Sequence, residues 1–172
     1  SPFFLRLAGR MRGPDGVSPG KLRRVNISDV TVYNADSHFS SIISGIPGHN
    51  IEDIRFSNID IWYKPMESAR AQIQKVVPEY IETYPEPAKF GVIPSYGFFI
   101  RHVENIEMNN VNIHYLGEED RPAIILDDVK GAKFKNMDAQ KAGKAPVLQL
   151  EKSRNIRIRE SEGLKNQEIK GL

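Results

Sequence analysis

The stretch YGFFIRHVENIEMNNVNIHY, residues 96–115, is one complete copy of a unit that recurs on both sides of it. An apolar run at 98–100 is followed by Asn105-Ile106-x-Met108-x-Asn110-Val111-x-Ile113. Apolar and polar residues alternate there, with a bend at Asn109-Asn110. The unit therefore reads as two or three short strands, each with an internal period of two.

Related segments begin at Val25, Ile54, Ile106, Ala132 and Ile156. The steps between them are 29, 52, 26 and 24 residues, so the long one is about a repeat plus an insertion. A period of this size, made of strands without intervening helices, predicts a solenoid. Leucine-rich repeats share the period but need leucines at fixed offsets and a helical or extended convex side, neither of which is visible. The expectation is an all-β chain, a parallel β-helix of about five coils, in one domain over 1–172. Inward Val, Ile, Phe and Met then stack from coil to coil.

The chain has 172 residues, 40% hydrophobic and 27% charged, enough for one domain with a real core. No apolar run is long enough for a transmembrane helix. The net charge of +2 comes from cations spread through all coils, so nucleic acid and membrane are not expected as partners. Without cysteine there is no disulfide or thiolate metal site. No metal or other cofactor is expected. His38 and His49 read as loop residues, since neither has a second ligand at strand or helix spacing.

The first coil starts at Phe3, with no capping element ahead of it. A second copy or further N-terminal coils are expected to cover that end. Residues 10–20 form a loop by their Gly and Pro content. Arg6, Arg10 and Arg12 offer planar forks for a carboxylated sugar, and a solvated loop is the plainer reading. The insertion at 64–95 places Met66, Ala69, Ile73, Val76, Val77 and Tyr80 at three- and four-residue steps, which predicts an amphipathic helix ended or kinked by Pro78. The Pro- and aromatic-rich segment 84–94 follows, with Tyr80, Tyr84, Phe90 and Tyr96 as flat faces for sugar rings or simply as pins for the loop.

Alignment of the coils stacks Arg101-His102 over Asp127-Asp128 over Glu151-Lys152. Paired carboxylates suit an inverting glycosidase, but adjacent strand residues point to opposite faces, so Asp127 and Asp128 share a groove only if the strand bends. A surface ion pair between Arg101 and Asp127 is the simpler expectation. No phosphate loop, Ser/His/Asp set or zinc spacing occurs.

The segments FFLRLAGRMRGP (3–14), SIISGIPGH (41–49), YPEP (84–87), YGFFIRHV (96–103) and RPAIILDDV (121–129) resemble the C-terminal part of bacterial glycoside hydrolase family 28, the polygalacturonase-like proteins. The resemblance implies a right-handed parallel β-helix, inverting hydrolysis of galacturonosyl linkages in pectin, no metal, and a secreted or periplasmic location. The family's Asn-Thr-Asp, Asp-Asp, Gly-His-Gly and Arg-Ile-Lys motifs would lie in coils preceding Ser1. None is found here in that form: one coil after Asp127-Asp128 the chain reads PVLQL, and Gly48-His49-Asn50 lacks the second glycine. No catalytic residue is carried over. The expected substrate contacts are Arg6, Arg10, Arg12, Arg101 and Tyr84, with an acidic plant polysaccharide as partner. The chain is then the C-terminal portion of a pectin-degrading hydrolase, inactive alone. The alternative is a stand-alone module that binds acidic glycans or self-assembles.

Overall fold

In a computed structural model the chain is mostly β; the structure describes residues 1–10, 12–66 and 70–170. Its strands are β1 (Phe4–Arg6), β2 (Arg23–Ala35), β3 (Ser41–Ser44), β4 (Ile51–Tyr63), β5 (Phe98–Tyr115), β6 (Ile124–Ala139), β7 (Leu148–Glu151), β8 (Arg154–Arg159) and β9 (Gln167–Ile169). One parallel row runs β1–β3–β5–β6–β7 and another β2–β4–β5–β6–β8. The long strands β5 and β6 belong to both rows. No helix among the described residues is long and apolar enough to cross a membrane.

The register is the one the repeated segments predict: Val25 lies beside Ile54, then Ile106, Ala132 and Ile156. β5 turns at His102, Asn105 and Asn110, all with φ of 50–60°. These left-handed corners cut it into the short straight pieces that the alternating pattern implies. Asn tolerates this region because its short side chain bonds locally. Here the corner amides also bond along the stack, Asn136 donating to Asn110 (3.1 Å), Asn110 to Asn58 (3.0 Å) and Asn58 to Asp29 (2.9 Å).

Inward side chains build one core that includes Ile54, Phe56, Ile106, Met108, Phe134 and Ile158. Stacking these apolar columns is the main stabilising term, at about 25 cal/mol per Å² removed from water. The two ends of the core differ. Among the described residues β2 is paired only with β4, and its Val25, Ile27, Val30 and Val32 are only partly buried. At the far end β9 pairs antiparallel with β8, so the tail acts as a modest cap.

The apolar runs Phe98–Ile100 and Ile124–Leu126 are buried on both faces, which is why they do not alternate. Outward Ile42, Phe99 and Ile125 pack under Val77, Phe90 and Ile93 of the insertion. The insertion corrects one expectation. Among the described residues it contains 3-10 turns at Arg70–Gln72 and Pro87–Phe90 and no amphipathic helix. Ala69 lies outside the described residues. Val76 is 80% exposed while Met66 and Val77 are buried, so the supposed stripe does not share a face. Pro78 disfavours helical geometry at Val77, Tyr80 has φ 50°, and the carbonyls of residues 77–80 bond to arginines instead of continuing a helix.

Candidate functional site

Register places Arg6, Ser44, Arg101, Asp127 and Glu151 side by side on one outward column. Two of its members clasp the insertion. Arg101 donates from Nη1 to the Val77 carbonyl (2.6 Å) and from Nη2 to that of Pro78 (2.9 Å). Arg6 donates from Nη2 to the carbonyls of Glu79 (2.7 Å) and Tyr80 (2.9 Å), and from Nη1 to Ser44 Oγ and the Gly45 carbonyl (both 2.9 Å). Four consecutive carbonyls are thus held by two guanidinium groups. Burial, and then the neighbouring charge of Arg101, pushes Arg6 down to about 10, against the pull of Glu79. Burial likewise lowers Arg101, which Glu79 and Asp127 oppose.

A bend resolves the geometry of the paired aspartates. His102 of β5, Asp128 of β6 and Lys152, just past the end of β7, occupy the same corner, with φ of 50°, 53° and 48°. Asp127 therefore stays in the column while Asp128 turns to His102, whose Nδ1 lies 2.7 Å from Asp128 Oδ2. The other ring nitrogen, Nε2, lies 3.1 Å and 3.2 Å from the two carboxylate oxygens of Glu79. Only a ring with protons on both nitrogens donates to both carboxylates at once. The close approach beneath this corner requires glycine at Gly45, where a Cβ would sit 2.4 Å from the His102 carbonyl oxygen. Burial raises the Asp127 carboxyl above the ordinary range, with Glu151 adding to it and Arg101, His102 and Lys152 opposing. Asp127 thus holds a proton to higher pH than an ordinary aspartate, but the strap at 77–80 covers the Arg101 side of it.

The sequence-predicted site residues separate into two groups. Arg6 and Arg101 do not face an open groove. Arg101 is 2% exposed, and the expected surface ion pair with Asp127 is replaced by strap carbonyls and by Glu79 at 3.5 Å. The physical reason is the apolar cover of Val77, Phe90 and Ile93, which draws the strap over the column. Arg10 and Tyr84 are brought together instead, the guanidinium carbon 4.9 Å from the ring centroid. The Gly9 amide donates to the Ile81 carbonyl (2.8 Å) and thereby sets the two loops side by side. Tyr84 is 58% exposed, and Arg12 is exposed nearby in sequence. Of the other aromatics, Phe90 and Tyr96 are buried and Tyr80 packs on the outward cluster, so these pin the loop.

Sequence reasoning missed Glu79 and the buried Glu119–Arg121 pair; it stacked His102 over Asp128 without reading the hydrogen bond between them. That stacking was legible because the two residues stand one repeat apart at the same corner position. Glu79 had no such signal, because it lies in the aperiodic insertion. Among the described residues no group of three His, Asp or Glu side chains is placed to hold a metal ion. No family model, no curated protein and no solved structure matches the chain.

Proposed function

We propose that the parallel rows wind into a right-handed parallel β-helix, and that this chain supplies scaffold and part of the substrate groove of a pectin-degrading glycoside hydrolase of polygalacturonase type. Its catalytic acids stand on coils outside this sequence, and the protein works in a secreted or periplasmic setting on an acidic plant polysaccharide. The observation that carries the reading is the stack of half-buried Arg10 on exposed Tyr84, with exposed Arg12 two residues on in the chain, because a flat ring and guanidinium forks suit a sugar that carries a carboxylate. The repeated parallel register and the family-like segments support the scaffold.

The test is affinity for a galacturonate oligomer. Arg10→Ala with Arg12→Ala is expected to weaken it by more than about 1 kcal/mol, since hydrogen bonds to charged groups contribute about 1.5–3. Unchanged affinity would make the loop merely solvated. Hydrolysis of polygalacturonate by the 172-residue chain alone would contradict the placement of catalysis elsewhere. The edge of β2 that has no partner among the described residues favours a second reading, a module that pairs with another copy, which a monomeric sedimentation profile at high concentration would count against.

A further inference from the structure

Beyond the corners at His102 and Asp128 the outward residues form three further columns. Two of them run Arg23–Glu52–Glu104–Lys130–Arg154 and Asn26–Arg55–Glu107–Lys133–Arg157. The third ends in Asn109–Lys135–Arg159. From β5 to β6 two of these columns place opposite charges side by side, Glu104 by Lys130 and Glu107 by Lys133. An ion-pair ladder would continue with acids on β8. Instead all three positions of β8 carry arginine, directly beside Lys130, Lys133 and Lys135.

Like charges directly opposite on paired strands are destabilising. Five of the six side chains are exposed and Lys130 is half-buried. Arg157 meets Glu168 at 3.4 Å and Lys135 meets Glu160 at 3.4 Å. Among the described residues no carboxylate lies within 4.0 Å of Lys130, Lys133, Arg154 or Arg159. Lys130, Lys133, Arg154 and Arg157, with Glu168 beside Arg157, line one side of an open groove of about 1160 Å³, which Glu104, Glu107 and Asp53 also line.

We propose that this cationic face is a second binding site, separate from Arg10, Arg12 and Tyr84, for a linear polysaccharide that carries carboxylates, a ligand class that rests on the function proposed above. Strands about 4.8 Å apart set cations in pairs, so a chain of anions laid around the corner at Gly131 and Asn155 (φ 80° and 59°) meets one pair on each side of it, Lys130 with Arg154 and Lys133 with Arg157, and removes their mutual repulsion. The arginine forks take carboxylates in bidentate fashion and the lysines add point charge. No aromatic side chain lines the groove among the described residues, so a single-stranded nucleic acid finds no stacking platform.

The experiment is fluorescence anisotropy of the full chain with a labelled galacturonate oligomer of about ten sugars, titrated over a range of salt, with an oligothymidylate of similar charge for comparison. K133Q/R157Q is expected to weaken uronate binding at least about tenfold and to flatten the slope of log affinity against log salt by about one to two, as two cations stop displacing counterions. Its urea midpoint should change little, because the repulsion removed offsets the loss of the exposed Arg157–Glu168 pair; if it falls, K130Q/R154Q, which breaks no ion pair among the described residues, is read in its place under the same binding expectation, and its midpoint should equal or exceed the wild-type one. Loss of binding in R10A/R12A with none in the β6–β8 variants overturns this site and keeps the groove reading, and the reverse pattern does the opposite. Equal or tighter binding of the oligothymidylate, or no uronate binding at low salt, also overturns it.

Discussion

Arg121 and Arg101 are both almost wholly buried, at 3% and 2% exposure, and both tie the insertion to the parallel rows. Their partners differ. Arg121 donates from Nε and Nη2 to the two oxygens of Glu119 (2.8 and 2.7 Å) and from Nη1 to the Ile93 carbonyl (2.9 Å). Arg101 reaches two carbonyls, its Nε has no partner among the described residues, and its carboxylate, Glu79, lies at 3.5 Å and is shared with His102. A buried charge is tolerated when paired and hydrogen-bonded on every side. The insertion is therefore moored firmly near Ile93 and Ser95, and more loosely at the strap over the outward column.

The largest expected effect is at the firm mooring. Arg121→Met leaves the Glu119 carboxylate buried and unpaired, at a cost of about 3–5 kcal/mol in urea unfolding, and adding Glu119→Gln should recover part of it. Arg101→Met comes next, at about 1–3 kcal/mol for the loss of hydrogen bonds from a charged donor. Faster amide exchange should then be confined to the neighbourhood of residues 77–80. If Arg101→Met costs as much as Arg121→Met and loosens the whole insertion, the two moorings are equivalent and the distinction fails.

Acid sharpens the same contrast. Burial, the largest single influence, pushes the Glu119 carboxyl up, but the hydrogen bonds and charge of Arg121 and the amides of Arg121 and Asp120 outweigh it and hold the group below its ordinary 4.5. The stability it contributes is complete above pH 4.5 and is lost as pH falls from there through the lowered folded value. Asp127, raised above its ordinary 3.8, has the opposite sign. Its penalty is complete above the raised value and disappears as pH falls through that value to below 3.8. Unfolding followed from pH 7 to pH 3 should therefore show less acid sensitivity for Glu119→Gln, relative to its own neutral stability, than for the wild type. The smallest effect is that of Asp127→Asn, a gain of about 0.5 kcal/mol or less at pH 7.

The register of the rows was legible because a strand has a period of two and each repeat must set its apolar positions on those of the next. Val25, Ile54, Ile106, Ala132 and Ile156 could be aligned from their spacing alone. The corners were partly legible: the bend read at Asn109-Asn110 is the left-handed corner at Asn110, which Asn58 and Asn136 repeat on neighbouring strands, whereas the same conformation at His102 and Asp128 interrupts apolar runs and left no mark in the alternation, although both residue types are enriched in it. The insertion misled. Its three- and four-residue steps imitate a helix, and periodicity carries no information about carbonyls that find guanidinium donors far away in the chain.

From residue order alone came the strand content, the spacing of the rows and the outward column of Arg101, Asp127 and Glu151, because these follow from local alternation repeated at a fixed interval. Which arginines stay open to solvent came only with the folded chain. Arg6 and Arg101 are covered and Arg10 stacks on Tyr84 because a segment without a period folds back over an apolar patch. That patch exists only after Ile42, Phe99 and Ile125 have been brought side by side.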